Sequence, residues 1–68
     1  MKYSIVIQWS DEDDTFVVSL PEWGDTVHTH GDTYEEALAR GKELLEGLIE
    51  VRKQAGEPLP RPRVFAGV

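Results

Sequence analysis

Apolar and polar side chains alternate along the start of the chain, over residues 3–9. A period of two places successive side chains on opposite faces, which is typical of a half-buried β-strand. After an acidic interruption, residues 15–20 are rich in β-branched and aromatic side chains, and residues 26–30 are extended enough to form a third strand. The pattern therefore predicts an antiparallel meander of three strands.

A single long helix is predicted to follow the strands. Thr33 and Glu36 have the spacing of a capping box, in which each side chain accepts a hydrogen bond from the backbone N–H of the other residue. Apolar and small side chains then recur on one helical face, at positions 34, 37, 38, 41, 44, 45, 48, 51 and 55. On that face Gly41 lacks a side chain, so the helix and sheet can approach closely. Gly56 is the predicted C-terminal cap.

The segment after the predicted helix is rich in proline. Prolines at positions 58, 60 and 62 exclude a helix and predict an extended connector. Residues 63–68 become apolar again, so we expect either a short fourth strand at the sheet edge or a contact with a neighbouring subunit. The order β-β-β-α-β defines an α+β fold, and we predict a single domain over residues 1–68.

Length and charge restrict the possible partners. With 68 residues and no cysteine, the chain has a small core and no disulfide or thiolate metal site, so we expect a homo-oligomer, either a dimer or a tetramer. No export signal follows Met1 and no apolar run approaches the roughly 20 residues of a membrane helix, which predicts a cytoplasmic protein without membrane contact. The net charge of -6 disfavours direct binding to DNA or RNA and favours a basic protein partner.

Four contiguous acidic side chains separate the first two predicted strands: Asp11, Glu12, Asp13 and Asp14, called the acidic turn below. The stretch partly matches a calcium-binding loop, but Phe16 stands where the sharp turn of such a loop requires glycine. The carboxylates of metal-dependent nucleases converge from separate elements rather than from one turn. We interpret the acidic turn either as a solvated hairpin tip or as a contact surface for a basic partner.

Two histidines lie on one face of the third predicted strand. His28 and His30 are followed by Asp32, and two histidines with one carboxylate can in principle bind a metal ion. The alternative function is therefore a stand-alone metal-binding protein or metal-dependent enzyme that uses these residues and the acidic turn. Because no further ligand, covalent nucleophile or phosphate-binding loop is visible, we predict a non-enzymatic protein with no catalytic, metal-binding or cofactor-binding residues.

The two tryptophans are predicted to have different roles. Trp9 shares a strand face with Tyr3, Ile5 and Ile7, so it is expected in the core. Trp23 lies in a turn, where a large aromatic ring either covers the edge of the core or anchors an interface. The predicted partner-binding residues are the acidic turn, Trp23, His28 and His30.

Several short motifs follow one another in a specific order along the chain. These are an opening strand at 2–7, the acidic turn, Pro-Glu at 21–22, Gly-Asp-Thr at 31–33, Glu-Glu-Ala at 35–37 and Pro-Leu-Pro-Arg-Pro at 58–62. Each motif is weak alone, but the ordered set resembles the N-terminal domain of the HicB family of antitoxins, and the resemblance covers essentially the whole sequence.

The resemblance implies a partial RNase H-like fold that oligomerises and binds HicA, a small basic mRNA interferase. The acidic domain would cover the catalytic histidine of the toxin and its RNA-binding surface. Many HicB proteins continue into a DNA-binding domain, whereas this sequence ends at Val68. We therefore expect a short form that either neutralises a toxin without contacting DNA or belongs to a solitary relative whose toxin is lost or different.

Overall fold

The chain forms an antiparallel sheet and one long helix, and the computed structural model describes residues 2–67. The elements in chain order are the strands Val6–Ser10 (β1), Thr15–Ser19 (β2) and His28–Gly31 (β3) and the helix Tyr34–Ala55 (α1). A short 3-10 helix, Pro21–Trp23, follows β2. The strand order is β1-β2-β3. This confirms the predicted α+β fold with a three-stranded meander and one helix.

The register of the sheet determines which side chains meet the helix. Ile7 pairs with Val18, and Val18 pairs with Thr29. Because side chains alternate along a strand, these three residues share one face of the sheet. Val18 on this face is fully buried, and α1 covers it. The opposite face carries no helix.

The helix packs on the sheet through a narrow stripe of small side chains. Its buried residues are Ala37, Gly41 and Leu45. A Cβ atom placed on Gly41 would lie 3.0 Å from Val18 Cγ1 and 3.1 Å from Ile5 Cγ2. The predicted close approach at Gly41 is therefore confirmed, and the glycine sets the distance between helix and sheet.

The buried stripe is narrower than the apolar pattern of the helix predicted. Tyr34 and Val51 belong to the predicted apolar face but remain 63% and 64% exposed, respectively. Neighbouring strands are about 4.8 Å apart, so three strands span only about 10 Å between the outermost backbones. A sheet of this width covers the central line of the helix and leaves apolar side chains exposed on both flanks.

Both helix caps form at the predicted residues. Thr33 Oγ1 accepts a hydrogen bond from the Glu36 backbone N–H at 3.1 Å, as expected. The Glu36 carboxylate accepts from the backbone N–H of Asp32 at 3.1 Å, one residue earlier than a standard capping box. At the other end, Gly56 adopts a left-handed conformation with φ of 70° and ends the helix.

The fourth strand predicted for residues 63–68 is not formed in the described part of the chain. Residues 57–67 have no regular secondary structure, and Val68 lies outside the described residues. The backbone groups of Arg63, at the start of this stretch, bond to side chains rather than to a strand: its N–H donates to the Glu22 carboxylate at 2.9 Å and its carbonyl accepts from the Ser4 hydroxyl at 3.4 Å. Instead, the segment is held at the end of the sheet, where the Tyr3 hydroxyl donates to the Pro60 carbonyl at 2.7 Å.

Gly31, at the end of β3, permits a second close approach that the sequence pattern did not indicate. A Cβ atom at this position would lie 2.5 Å from the backbone nitrogen of Ala37 and 2.8 Å from its Cα. These are backbone atoms of the first helical turn, which cannot move away without displacing the helix. The glycine therefore lets α1 turn back directly onto the strand that precedes it.

We predict that Gly31→Ala lowers the free energy of unfolding by about 2 kcal/mol or more, because the methyl group overpacks rigid backbone. Gly41→Ala is the matched control. Its added methyl group would lie 3.0 Å from Val18 Cγ1 and 3.1 Å from Ile5 Cγ2, which are side-chain methyl groups rather than backbone, and the gain in helix propensity of about 1 kcal/mol offsets part of the cost, so we expect a smaller loss. Urea unfolding at pH 7 measures both. Equal losses, or a larger loss for Gly41→Ala, would contradict the difference between backbone and side-chain contacts.

Candidate protein-binding surface

The face of the sheet opposite α1 is open to the surroundings. From the strand register, its side chains come from all three strands: Val6, Gln8, Ser10, Thr15, Val17, Ser19, His28 and His30. Val17 pairs with His30 and Ser19 pairs with His28, so the two histidines lie beside β2 on this face. The face is polar, with valines between the polar side chains.

A shallow depression on this surface joins the histidines to the acidic turn. It has a volume of about 610 Å³, and its lining includes Asp13, Asp14, His28, His30 and Asp32. The acidic turn connects β1 to β2, and its end reaches the open face beside β3. The structure thus brings together four of the predicted partner-binding residues and adds Asp32 beside them.

The acidic turn is an ordered hairpin tip. The Ser10 hydroxyl oxygen accepts a hydrogen bond from the Asp13 backbone N–H at 3.2 Å, and the Trp9 indole N–H donates to Asp11 Oδ1 at 2.8 Å. Asp14 adopts a left-handed backbone conformation with φ of 53°, which aspartate and asparagine tolerate better than most residues. All four acidic residues are exposed, so they present negative charge in a fixed local arrangement.

His28 is held by two hydrogen bonds to the protein. Its Nε2 donates to the Asp25 carbonyl oxygen at 2.6 Å, because a carbonyl oxygen can only accept. Its Nδ1 lies 3.2 Å from the Ser19 hydroxyl. Both ring nitrogens are therefore engaged, and a metal ion could bind His28 only after one of these bonds broke.

The geometry does not support the alternative metal site. Within residues 2–67 no group of three or more histidine, aspartate or glutamate side chains converges as metal ligands do. His28 and His30 face the same depression as Asp32, but the binding of His28 to Asp25 and Ser19 removes one of the expected ligands. What remains is a surface with negative charge and hydrogen-bonding groups.

Trp23 lies elsewhere, in the 3-10 helix after β2. Its ring packs edge-on against Tyr3, with ring centroids 5.4 Å apart, and the Arg52 guanidinium lies 5.3 Å from its centroid. Its indole N–H is buried without a hydrogen-bond partner in the described part of the chain. Trp23 therefore covers the edge of the core near the end of α1, and it does not line the depression.

Glu22, beside Trp23, fastens the C-terminal segment to the start of the chain. Its carboxylate accepts hydrogen bonds from the Ser4 backbone N–H at 3.1 Å and from the Arg63 backbone N–H at 2.9 Å. Burial raises the pKa of the Glu22 carboxyl, but these bonds, the Ser4 hydroxyl and its own backbone N–H lower it, and the net pKa is below its usual value. One carboxylate thus joins residues far apart in sequence.

An aromatic cluster that the sequence patterns did not indicate lies next to the acidic turn. Trp9 contacts Phe16 edge-on with centroids 5.0 Å apart, and Phe16 contacts Tyr34 at 4.4 Å. The prediction that Trp9 is a core residue is wrong, because the ring is 49% exposed. Trp9 lies on the predicted face of its strand. It stands near the end of β1, however, beside the start of the helix, so α1 covers it only in part.

Comparisons of the chain with models of known protein families, with curated proteins and with solved structures gave no match. The resemblance to the HicB family therefore rests on the order of the sequence motifs alone. Among the described residues, no helix is both long enough and apolar enough to cross a membrane.

We predict that Glu22→Gln lowers the free energy of unfolding at pH 7 by about 1 kcal/mol, because a carboxylate that accepts several hydrogen bonds is replaced by a neutral amide. The folded pKa lies below the usual value of 4.5, so this stabilisation is present above that pH and is lost as the pH falls through the folded pKa. The difference between the two proteins should therefore shrink in acid.

Thermal unfolding of both proteins at neutral and acidic pH measures this effect. Glu46→Gln is the matched control, because Glu46 is an exposed glutamate on the helix whose carboxylate makes no hydrogen bond within residues 2–67. Its stability should follow that of the original chain at each pH. A Glu22→Gln deficit that persists unchanged in acid would contradict the role of the carboxylate charge.

Proposed function

We propose that this protein is an antitoxin that binds a small basic mRNA interferase of the HicA type and blocks it. The observation that carries the proposal is the convergence of two residues of the acidic turn, Asp13 and Asp14, with His28, His30 and Asp32 around one depression on an uncovered sheet face. The ordered motifs that resemble the HicB family support it, and so does the net charge of -6. No chemistry by this chain is required.

The inhibition would be electrostatic and steric. An RNase binds the phosphates of RNA with lysine and arginine side chains, and a surface of fixed carboxylates competes for the same cations. Negative charge on a protein surface also accelerates encounter with a basic partner over distances of about a Debye length. Once the acidic surface is bound to the toxin, the RNA can neither bind nor reach the catalytic histidine of the toxin.

The aromatic cluster beside the acidic turn lies on the helix side of the sheet, opposite the depression, so it would add affinity for a partner that wraps around the hairpin tip. Exposed Trp and Tyr side chains often anchor protein interfaces because they bury a large area at a low cost in conformational entropy. Trp9 and Tyr34 are 49% and 63% exposed, and Asp11 holds the Trp9 indole through its N–H. In this proposal the protein acts in the cytoplasm, where the mRNA substrate of the toxin is found.

Co-expression tests the proposal in cells. We expect the protein to restore growth to cells that produce a small basic RNase of the HicA type, and the two chains to elute as one complex in size-exclusion chromatography. As a control, a toxin with its catalytic histidine replaced should still form the complex, because the contact does not depend on catalysis. If the protein does not restore growth and the two chains do not form a complex, the proposal is contradicted.

Neutralising the acidic turn should slow association with the toxin about tenfold at low salt and flatten the salt dependence of the rate. The variant is Asp11→Asn, Glu12→Gln, Asp13→Asn and Asp14→Asn, since asparagine tolerates the positive φ of position 14. Stopped-flow fluorescence measures the rate.

The matched control removes the same number of charges outside the depression, through Glu35→Gln, Glu46→Gln, Glu50→Gln and Glu57→Gln. It should slow association much less. If both variants slow association equally, net charge rather than the acidic turn governs the encounter, and the acidic turn is not the docking surface.

A further inference from the structure

A second concave surface runs along the helix side of β3, between α1 and the outer edge of that strand. It has a volume of about 460 Å³. Its floor and walls come from one strand residue and one flank of the helix: Thr29, Arg40, Glu43, Leu44, Gly47, Leu48 and Val51. We call it the helix groove. Because β3 pairs only with β2 among the described strands, the outer edge of β3 beside the groove is unpaired.

No contact within the described part of the chain requires a glycine at position 47 of this groove. A glycine inside a helix costs about 1 kcal/mol relative to alanine. Gly31 and Gly41 are required by atoms that a Cβ would strike, but a Cβ on Gly47 would meet nothing within 4 Å. The glycine thus opens space at the bottom of an apolar groove, beside Leu44, Leu48 and the exposed Val51.

The C-terminal segment has the complementary properties. It is anchored as far as Arg63, whose backbone N–H donates to Glu22 at 2.9 Å. Beyond that anchor, Val64 and Phe65 are 66% and 83% exposed, and no hydrogen bond holds the described residues 64–67. The prolines and the anchor at Arg63 fix the point from which residues 64–67 leave the body of the molecule.

The C-terminal segment and the helix groove also carry charges of opposite sign. All 13 acidic side chains precede Pro58, whereas residues 58–68 carry Arg61 and Arg63 and no acidic residue. Glu43 lines the groove, and Glu50 lies two turns further along the same side of the helix. Arg40 also lines the groove, but Glu36 pairs with it at 3.6 Å.

We propose that two copies of this chain form a symmetric dimer in which the C-terminal segment of each copy lies in the helix groove of the other. Phe65 occupies the space above Gly47 against Leu44 and Leu48, and the extended backbone adds to the unpaired edge of β3. Such an exchange buries the most exposed apolar side chains and doubles a small core. The groove shares only Thr29 with the lining of the depression, and self-association is measured on the chain alone, so the proposal can fail or hold independently of the proposed function.

Sedimentation equilibrium of the full chain over a range of concentrations tests the dimer. The original chain should dimerise reversibly. Phe65→Ser, which removes the anchor, and Gly47→Leu, which fills the groove, should each raise the dissociation constant at least about tenfold. Ala39→Leu is the matched control, because it adds bulk at an exposed helix position that does not line the groove, and it should remain dimeric. Far-UV circular dichroism confirms that each variant is folded.

Mixing the two disabled variants gives the decisive result. A Phe65→Ser chain keeps an intact groove, and a Gly47→Leu chain keeps an intact segment, so a mixed dimer has one complete contact where each variant alone has none. We expect the mixture to associate more tightly than either variant. A monomeric original chain, variants that still dimerise, or a mixture that behaves as the sum of its parts would each overturn the proposal.

Discussion

The contact between one helix and three strands controls the rest of this structure. Gly41 lets α1 approach the sheet closely: a Cβ atom at this position would lie 3.0 Å from Val18 Cγ1 and 3.1 Å from Ile5 Cγ2. The contact is tight but narrow, and among residues 2–67 the buried apolar side chains are Val18, Leu20, Ala37 and Leu45. A sheet this narrow cannot cover the flanks of its helix, and one helix cannot cover both faces of its sheet.

The uncovered surfaces differ in character because they lie on different sides of that contact. The open sheet face ends at the acidic turn and presents carboxylates and histidines, which suit a basic partner. The helix groove is apolar and lies beside an unpaired strand edge, which suits an extended apolar segment. The two surfaces lie on different faces of β3 and meet at Thr29, which lines both.

Local patterns predicted those parts of the fold that depend on neighbouring residues. The alternation of apolar and polar side chains predicted the strands of the meander. Thr33 and Gly56 predicted where the helix begins and ends, because capping involves only residues of the adjacent turn. Long-range features were not predictable in this way. The bond from Arg63 to Glu22 joins residues 41 positions apart, and the exposure of Trp9 depends on where the helix begins over the sheet. The histidines could be placed on one face, but their proximity to the acidic turn depends on the β2–β3 register.

The most direct test of the central claim is to map the partner surface by NMR. Titration of the 15N-labelled protein with the small basic RNase should shift the backbone amides of residues 11–17 and 28–32, at the acidic turn and along β3. Residues 43–51 of the helix groove and residues 22–23 near the segment anchor should shift little. If the largest shifts fall on the groove or the anchor and the acidic turn is unaffected, the open sheet face is not the docking surface and the account is contradicted.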